Sequence, residues 1–525
     1  GRRDPRGGIE GIHQDRRGGL RSLRAWALPA HSLLGEGSAG AVEAPSDLLA
    51  GLSPLVVVAI LTAGGALACS ALVRLAAGTR ALLWILLAAQ GVRVGLTVLL
   101  YVVSVHRWPI LPSLHVPGGF WSFALDAPAY HENGLRIAAF LHAGEGFPLI
   151  LVYGAPFLVE GRDFFDAVGV LYWVLGPHPL YVPLINAILW SAAATLGYVL
   201  ARDLRDEAAG RLAAGLVAFW PSGLLWSSQL LKDSLMVALL LLAVLLAREA
   251  WGARGGRAVA AGLGLMLVAF VLTRNRVYFA QTLIVSAGLA AVAALPPPGI
   301  GRGRAVLRGL VVVLVLIGSY AVARETIAHA LRQDRAAAIL VYPPKAREPR
   351  VTEGAPAETR RAPATLLEHL QVLSEAVADR LNRRRQAFLT YHGSQFAPDV
   401  RFHDLGDVVG FLPAGLLVAL YGPLPWQWFP LGSTGMLKVV SGGESFLLLV
   451  LTPMFLVATG RGLRTRRFDA WLIVLTAVIL LIGLGLTVPN LGAIFRLRLA
   501  SVVLFAILGA AWGTPSWARR VVGPR

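Results

Sequence analysis

Four short stretches of this sequence place charged side chains where an apolar chain has no structural need of them. In FALDAPAYHENGLRIAAFLHAG, Asp126 stands just before Pro128 and one helical turn before Tyr130. In WPSGLLWSSQLLKDSLMVALL, Lys232 and Asp233 open a strongly apolar run, with Trp226, Ser227 and Ser228 ahead of them. LTRNRVYF carries Arg274 and Arg276, and VPNLGAIFRLRL carries Arg496 and Arg498. A positioned carboxylate can take the proton of a reacting hydroxyl, and arginine or lysine can hold a phosphate and stabilise the charge it gains on leaving. Each residue also has a plainer use. Asp126, with Pro128 read as a first helical position, suits a helix cap, and Asp233 suits the positive end of a helix. The arginines can reach out to lipid headgroups instead.

Spacing sorts these residues further. Positions two apart on a helix do not share a face, so one arginine of each pair is expected to point into the bundle and the other away. Adjacent Lys232 and Asp233 diverge in the same way. Tyr130, Gly134 and Ala138 continue the face of Asp126, whereas His131 and Glu132 lie on others. The histidines of this region, His106, His115, His131 and His142, show no H-x-x-x-H or related ligand spacing, which argues against a built-in zinc site.

The elements that must position these side chains are membrane spans. Of 525 residues 56% are hydrophobic and 15% charged, whereas a soluble domain carries about a quarter charged residues. A soluble enzyme is thereby excluded. The apolar runs are continuous Leu, Ala and Val rather than alternating, which excludes an outer-membrane barrel. The fold class read from the sequence is all-α, a polytopic transmembrane helical bundle of roughly 10 to 12 spans. The single cysteine, Cys69, rules out an intrachain disulfide and a cysteine metal cluster.

The 48 Lys and Arg against 30 Asp and Glu concentrate between apolar runs, at 202–211, 248–257, 302–308, 461–467 and 519–525. By the positive-inside rule these loops face the cytoplasm, and no aromatic residues interleave them as a nucleic-acid surface would need. The polar regions 106–179 and 324–407 then both lie outside. The chain divides into a basic leader, 1–50, read as disordered; an N-terminal transmembrane module, 51–323, with the first outer loop 106–179; an extracytoplasmic insertion, 324–407; and a C-terminal transmembrane module, 408–525. Within the insertion, 342–363 reads as a linker and 364–381 shows helical periodicity. The leader runs against the sidedness, because two spans ahead of residue 106 would place it outside.

The order of the motifs resembles a known group. Asp-x-x-x-Tyr in the first outer loop precedes the G-P-x-P of Gly176 to Pro179 and a span bearing Asn186. The P-S-x-x-x-W-S-S-x-x-x-K-D helix and the run from Arg274 to Tyr278 follow. Later come Arg383 to Arg385 with H-G-S at His392 to Ser394, P-L-P-W at Pro423 to Trp426, Glu444 before an apolar span, and N-x-G-x-x-x-R-x-R from Asn490 to Arg498. From about residue 81 to its end the chain is similar to bacterial membrane glycosyltransferases of the family 39 type, in the GT-C superfamily. Protein O-mannosyltransferases and the lipid A aminoarabinose transferase are relatives of that group.

The resemblance implies a GT-C-like bundle in the inner membrane of a bacterium, working on its extracytoplasmic face. It implies inverting transfer of a sugar from a polyprenyl-phosphate donor to a lipid, glycan or protein acceptor. It implies Asp126 as the catalytic carboxylate, with Tyr130, Lys232, Asp233, Arg274, Arg276, Glu444, Arg496 and Arg498 as substrate-binding residues. No cofactor is built in on this reading, and a divalent cation is left open. Partners are the lipid-linked donor, the acceptor and membrane lipids, without nucleic acid. The sequence departs from the group in its extra apolar segment at 52–73, its insertion at 324–407 and its want of a sizeable C-terminal outer domain. The rival classes are a lipid or polysaccharide transporter or flippase, and a surface-polysaccharide polymerase or ligase.

Overall fold

The computed structural model describes residues 53–143, 162–296, 301–341, 365–389, 394–428 and 435–513. The leader, the linker and the last basic loop expected above lie outside these residues. Among the described residues eight helices are long and apolar enough to cross a membrane, or up to ten if each of two bent pairs forms one span. The sequence count is higher because 212–226 and 499–512 are parts of the bent pairs, and because Val277–Ala293 is a shorter helix of 17 residues. The fold is an all-α helical bundle, as composition requires.

Each bend has a local cause. Glu207–Ala218 meets Pro221–Ser227 at 53°, where Pro221 supplies no N–H and holds Trp220 in extended backbone. The carbonyl of Ala218, left without a helical partner, accepts from the buried Arg93. Arg93 also donates to Ser227 Oγ at 3.1 Å and to the Ala89 carbonyl at 3.3 Å, and its guanidinium lies 5.5 Å from the Trp190 ring centre. A cation at the C-terminal ends of two half-helices satisfies groups that hydrocarbon cannot. Arg93→Met keeps most of the volume and orphans the Ala218 carbonyl, so it should cost about 1–3 kcal/mol. Thermal unfolding in detergent checks this; an unchanged midpoint would mean that the break is held by something else. The second pair, Leu491–Leu497 and Leu499–Gly513, bends by 41° at Arg498. Its first half is capped by Asn490, which accepts from the Ala493 N–H at 3.0 Å.

Four of the five basic loops gather at one end of the bundle. Arg202 donates to the Ala76 carbonyl at 2.7 Å, Arg467 to those of Asp203 and Leu204, and Arg308 to those of Trp251 and Ala253. Arg248 pairs with Asp203 at 2.8 Å, and the Leu295 N–H donates to the Arg466 carbonyl. Arg80–Val105 starts beside this cluster and carries the chain to the other end.

There the first large loop is built. A hairpin pairs His115 with Trp121 and Val116 with Phe120, turning through Gly118 and Gly119 at φ +89° and +86°, where only glycine is unstrained. Ser104 Oγ donates to the Phe120 carbonyl at 2.7 Å and Trp121 Nε1 to that of Leu100 at 3.1 Å, which pins the hairpin to the span below. The helices Asp126–His142 and Arg162–Leu175 then pack together, with Gly134 against Val168 and Tyr172. The expected periodicity at 364–381 is realised as the helix Leu366–Leu389. Its buried Arg385 donates to the Leu486 carbonyl at the end of Phe468–Thr487.

Candidate active site

Asp126 is the first residue of its helix, and Leu125 before it makes no side-chain cap. The helix starts two residues earlier than expected, which Pro128 tolerates because the first N–H groups of any helix lack partners. Asp233 likewise begins Asp233–Gly252, again with no side-chain cap ahead of it. Neither carboxylate takes the capping use that its position allows. Both are joined through one guanidinium instead.

Arg496 Nη1 donates to Asp126 Oδ2 and its Nε to Asp233 Oδ2, each at 2.7 Å. The other oxygen of Asp233 accepts from Arg276 Nη2 at 2.7 Å, and Arg276 Nη1 donates to the Tyr278 hydroxyl at 2.8 Å. Lys232 Nζ donates to the Asn275 carbonyl at 3.0 Å. Asn275 ends its helix and Arg276 turns the chain with extended backbone before Val277–Ala293 begins. The irregular chain before Asp233 is held by Asn186, whose Nδ2 donates to the carbonyls of Gln229 and Leu231 at 3.0 and 2.8 Å. Irregular backbone packed among helices is tolerated where its polar groups are met in this way. Trp226 packs between Phe123 and Phe495, at ring separations of 6.0 and 5.5 Å, so both broken spans meet beside the first loop.

Tyr130 is buried against Phe164 and Phe165, with ring centres 4.8 and 5.0 Å away. Burial, with Asp126 adding to it, pushes its phenol above the ordinary tyrosine range. It therefore stays a neutral phenol, able to donate a hydrogen bond, near neutral pH. His131 Nδ1 contacts the Tyr172 hydroxyl at 2.8 Å, and burial lowers its affinity for a proton. Glu132 pairs with Arg136 on the surface.

The members of each R-x-R pair take different partners, but a helix end or bend separates them, and Arg498 is fully buried instead of turned away from the bundle. Arg276 and Arg496 enter the cluster. Arg274 instead grips Asp163 through two contacts of 2.6 Å and donates to Thr326 Oγ1 at 2.8 Å, tying Arg162–Leu175 to the bundle. Arg498 turns to Glu444 at 3.1 Å, with both side chains fully buried. It also donates to the Gly422 and Leu420 carbonyls, while Glu444 Oε2 accepts from the Ser222 N–H at 2.8 Å. Of the nine residues read from the sequence, Asp126, Tyr130, Lys232, Asp233, Arg276 and Arg496 are brought together; Arg274, Glu444 and Arg498 are engaged elsewhere. Sequence reasoning missed Asp163, Asn275 and Tyr278. The last two flank Arg276 within the stretch already singled out, whereas Asp163 carried no spacing signal. Among the described residues no group of three or more His, Cys, Asp or Glu is placed to hold a metal ion.

No protein-family model matches this chain, and no curated protein matches it. Among solved structures the chain is similar to the archaeal oligosaccharyltransferase AglB from Archaeoglobus fulgidus, in complex with an inhibitory peptide and a dolichol-phosphate, at 17% identity and a TM-score of 0.45. The match covers 81% of this chain and 50% of that one, so the present chain spans about half its length.

Proposed function

We propose that this chain is a GT-C-type membrane glycosyltransferase that moves a sugar from a polyprenyl-phosphate donor to a lipid, glycan or protein acceptor. The observation that carries the reading is the cluster itself, a half-exposed carboxylate in contact with a guanidinium and grouped with a second arginine and a buried lysine. It lies at the end of the bundle opposite the basic loops, which by the positive-inside rule is the extracytoplasmic end. The acceptor hydroxyl oxygen attacks the anomeric carbon and its proton passes to Asp126. The bond from that carbon to the phosphate oxygen breaks, and the electron pair leaves with the polyprenyl phosphate. Arg276, Arg496 and Lys232 stabilise the charge that the leaving phosphate gains. A single displacement of this kind inverts the anomeric centre.

The test is incorporation of label from a defined polyprenyl-phosphate sugar into lipid, glycan or protein by the purified chain in proteoliposomes. Two broken spans meeting at a polar site are also what a transporter uses. Label that crosses the bilayer while still attached to its lipid phosphate would establish that class instead. Within the transferase reading, Arg276→Ala should weaken binding of a polyprenyl phosphate roughly ten- to a hundredfold, the worth of a charge-assisted contact. Arg274→Ala should leave it within a few fold, because that guanidinium is occupied by Asp163. Equal losses in the two variants would mean that the donor phosphate does not sit on this cluster.

A further inference from the structure

Arg496 is held by two carboxylates that differ in how firmly they are fixed. The side chain of Asp233 is 6% exposed and its second oxygen is already bound by Arg276, so this half of the grip is built into the bundle. Asp126 is 51% exposed, on the first turn of a loop helix, and reaches Arg496 through a single oxygen. An anion approaching from the loop side can therefore displace one partner and not the other.

We propose that the Asp126–Arg496 contact is a latch opened by the phosphate of the donor, which takes Nη1 of Arg496 and frees Asp126 Oδ2 to receive the acceptor proton. This rests on the transferase reading of the same site. Charge supports the exchange. Arg276 and Arg496 match the charges of Asp126 and Asp233, so an incoming phosphate supplies the negative charge that Asp126 withdraws. Geometry supports it as well, since the contact runs through one oxygen of a half-exposed carboxylate and can part while Asp233 keeps its hold on Arg496. The latch couples the arrival of the leaving group to the release of the base.

The proposal makes a counter-intuitive forecast, that removing a site carboxylate improves donor binding. A short-chain polyprenyl phosphate without sugar is titrated in detergent against the parent, Asp126→Asn and Asp126→Glu. Asp126→Asn should bind about two- to fivefold more tightly, the range expected for releasing a half-exposed ion pair. Asp126→Glu keeps the charge and should bind as the parent does. Equal or weaker binding by Asp126→Asn overturns the latch and leaves the transferase reading standing. A gain of the same size in Asp126→Glu overturns it too, because the effect would then follow shape and not charge. Failure of the parent to bind the lipid phosphate at all overturns both readings.

Discussion

On the transferase reading, Asp126→Asn should lower glycosyl transfer by roughly a hundredfold to ten-thousandfold, the usual worth of a positioned general base, while the protein unfolds at the parent's temperature. Asparagine has the same shape, and its amide oxygen can still accept from Arg496. What it cannot do is take a proton from an acceptor hydroxyl near neutral pH. The usual confounder of such a test is a lost helix cap, and the geometry removes it, because Asp126 is the first helical residue and does not cap. Substitutions at the two neighbours provide the contrast. His131 is turned to Tyr172 and Glu132 to Arg136, so replacing either should cost far less. Turnover of Asp126→Asn within a few fold of the parent would take the proton-accepting role away from this residue.

Glu444→Ala, by contrast, should damage folding and not donor binding. Glu444 and Arg498 are completely buried, so the variant strands a guanidinium with no counter-ion inside the bundle, a loss of about 3–5 kcal/mol. The double variant Glu444→Met with Arg498→Met removes both charges at similar volume and should be less destabilised than Glu444→Ala alone. Recovery will be partial, since the Ser222 N–H and the Leu420 carbonyl lose these partners and the Gly422 carbonyl keeps only Ser445 Oγ. Thermal unfolding in detergent reads the order directly. If Glu444→Ala melts with the parent and loses lipid-phosphate affinity instead, the pair belongs to the donor site.

These two outcomes bear on what the sequence could disclose. A spacing of two leads one to expect that Arg274 and Arg276, like Arg496 and Arg498, diverge, and they do, although neither pair lies within one helix. Which member faces the acids depends on where each helix ends. Asn275 closes one helix, so Arg276 swings on the turn, and the bend at Arg498 directs that side chain toward a span 54 residues away in sequence. Neither event has a local signature. The spans were legible because an apolar stretch of that length has one solution in a bilayer, and the helix at Leu366–Leu389 because its periodicity is its own. The role of Asp163 was not legible, since an acid opening a short amphipathic helix looks the same whether it meets water or Arg274. The start of the helix at Asp126 was misplaced for a related reason, proline being as acceptable in its third position as in its first.

The contact between Arg496 and Asp126 joins residues separated by 370 positions, and this bears on biogenesis. The ribosome delivers Asp126, Asp233 and Arg276 long before Arg496 emerges, so during synthesis Asp233 has only Arg276 among its two arginines. A nascent chain arrested ahead of Asn490 would contain the whole first loop and still lack both the Arg496 bridge and the counter-ion of Glu444. Insertion of the helix that follows Asn490 is thus the event that brings Arg496 to the two acids and gives the buried Glu444 its counter-ion in one step.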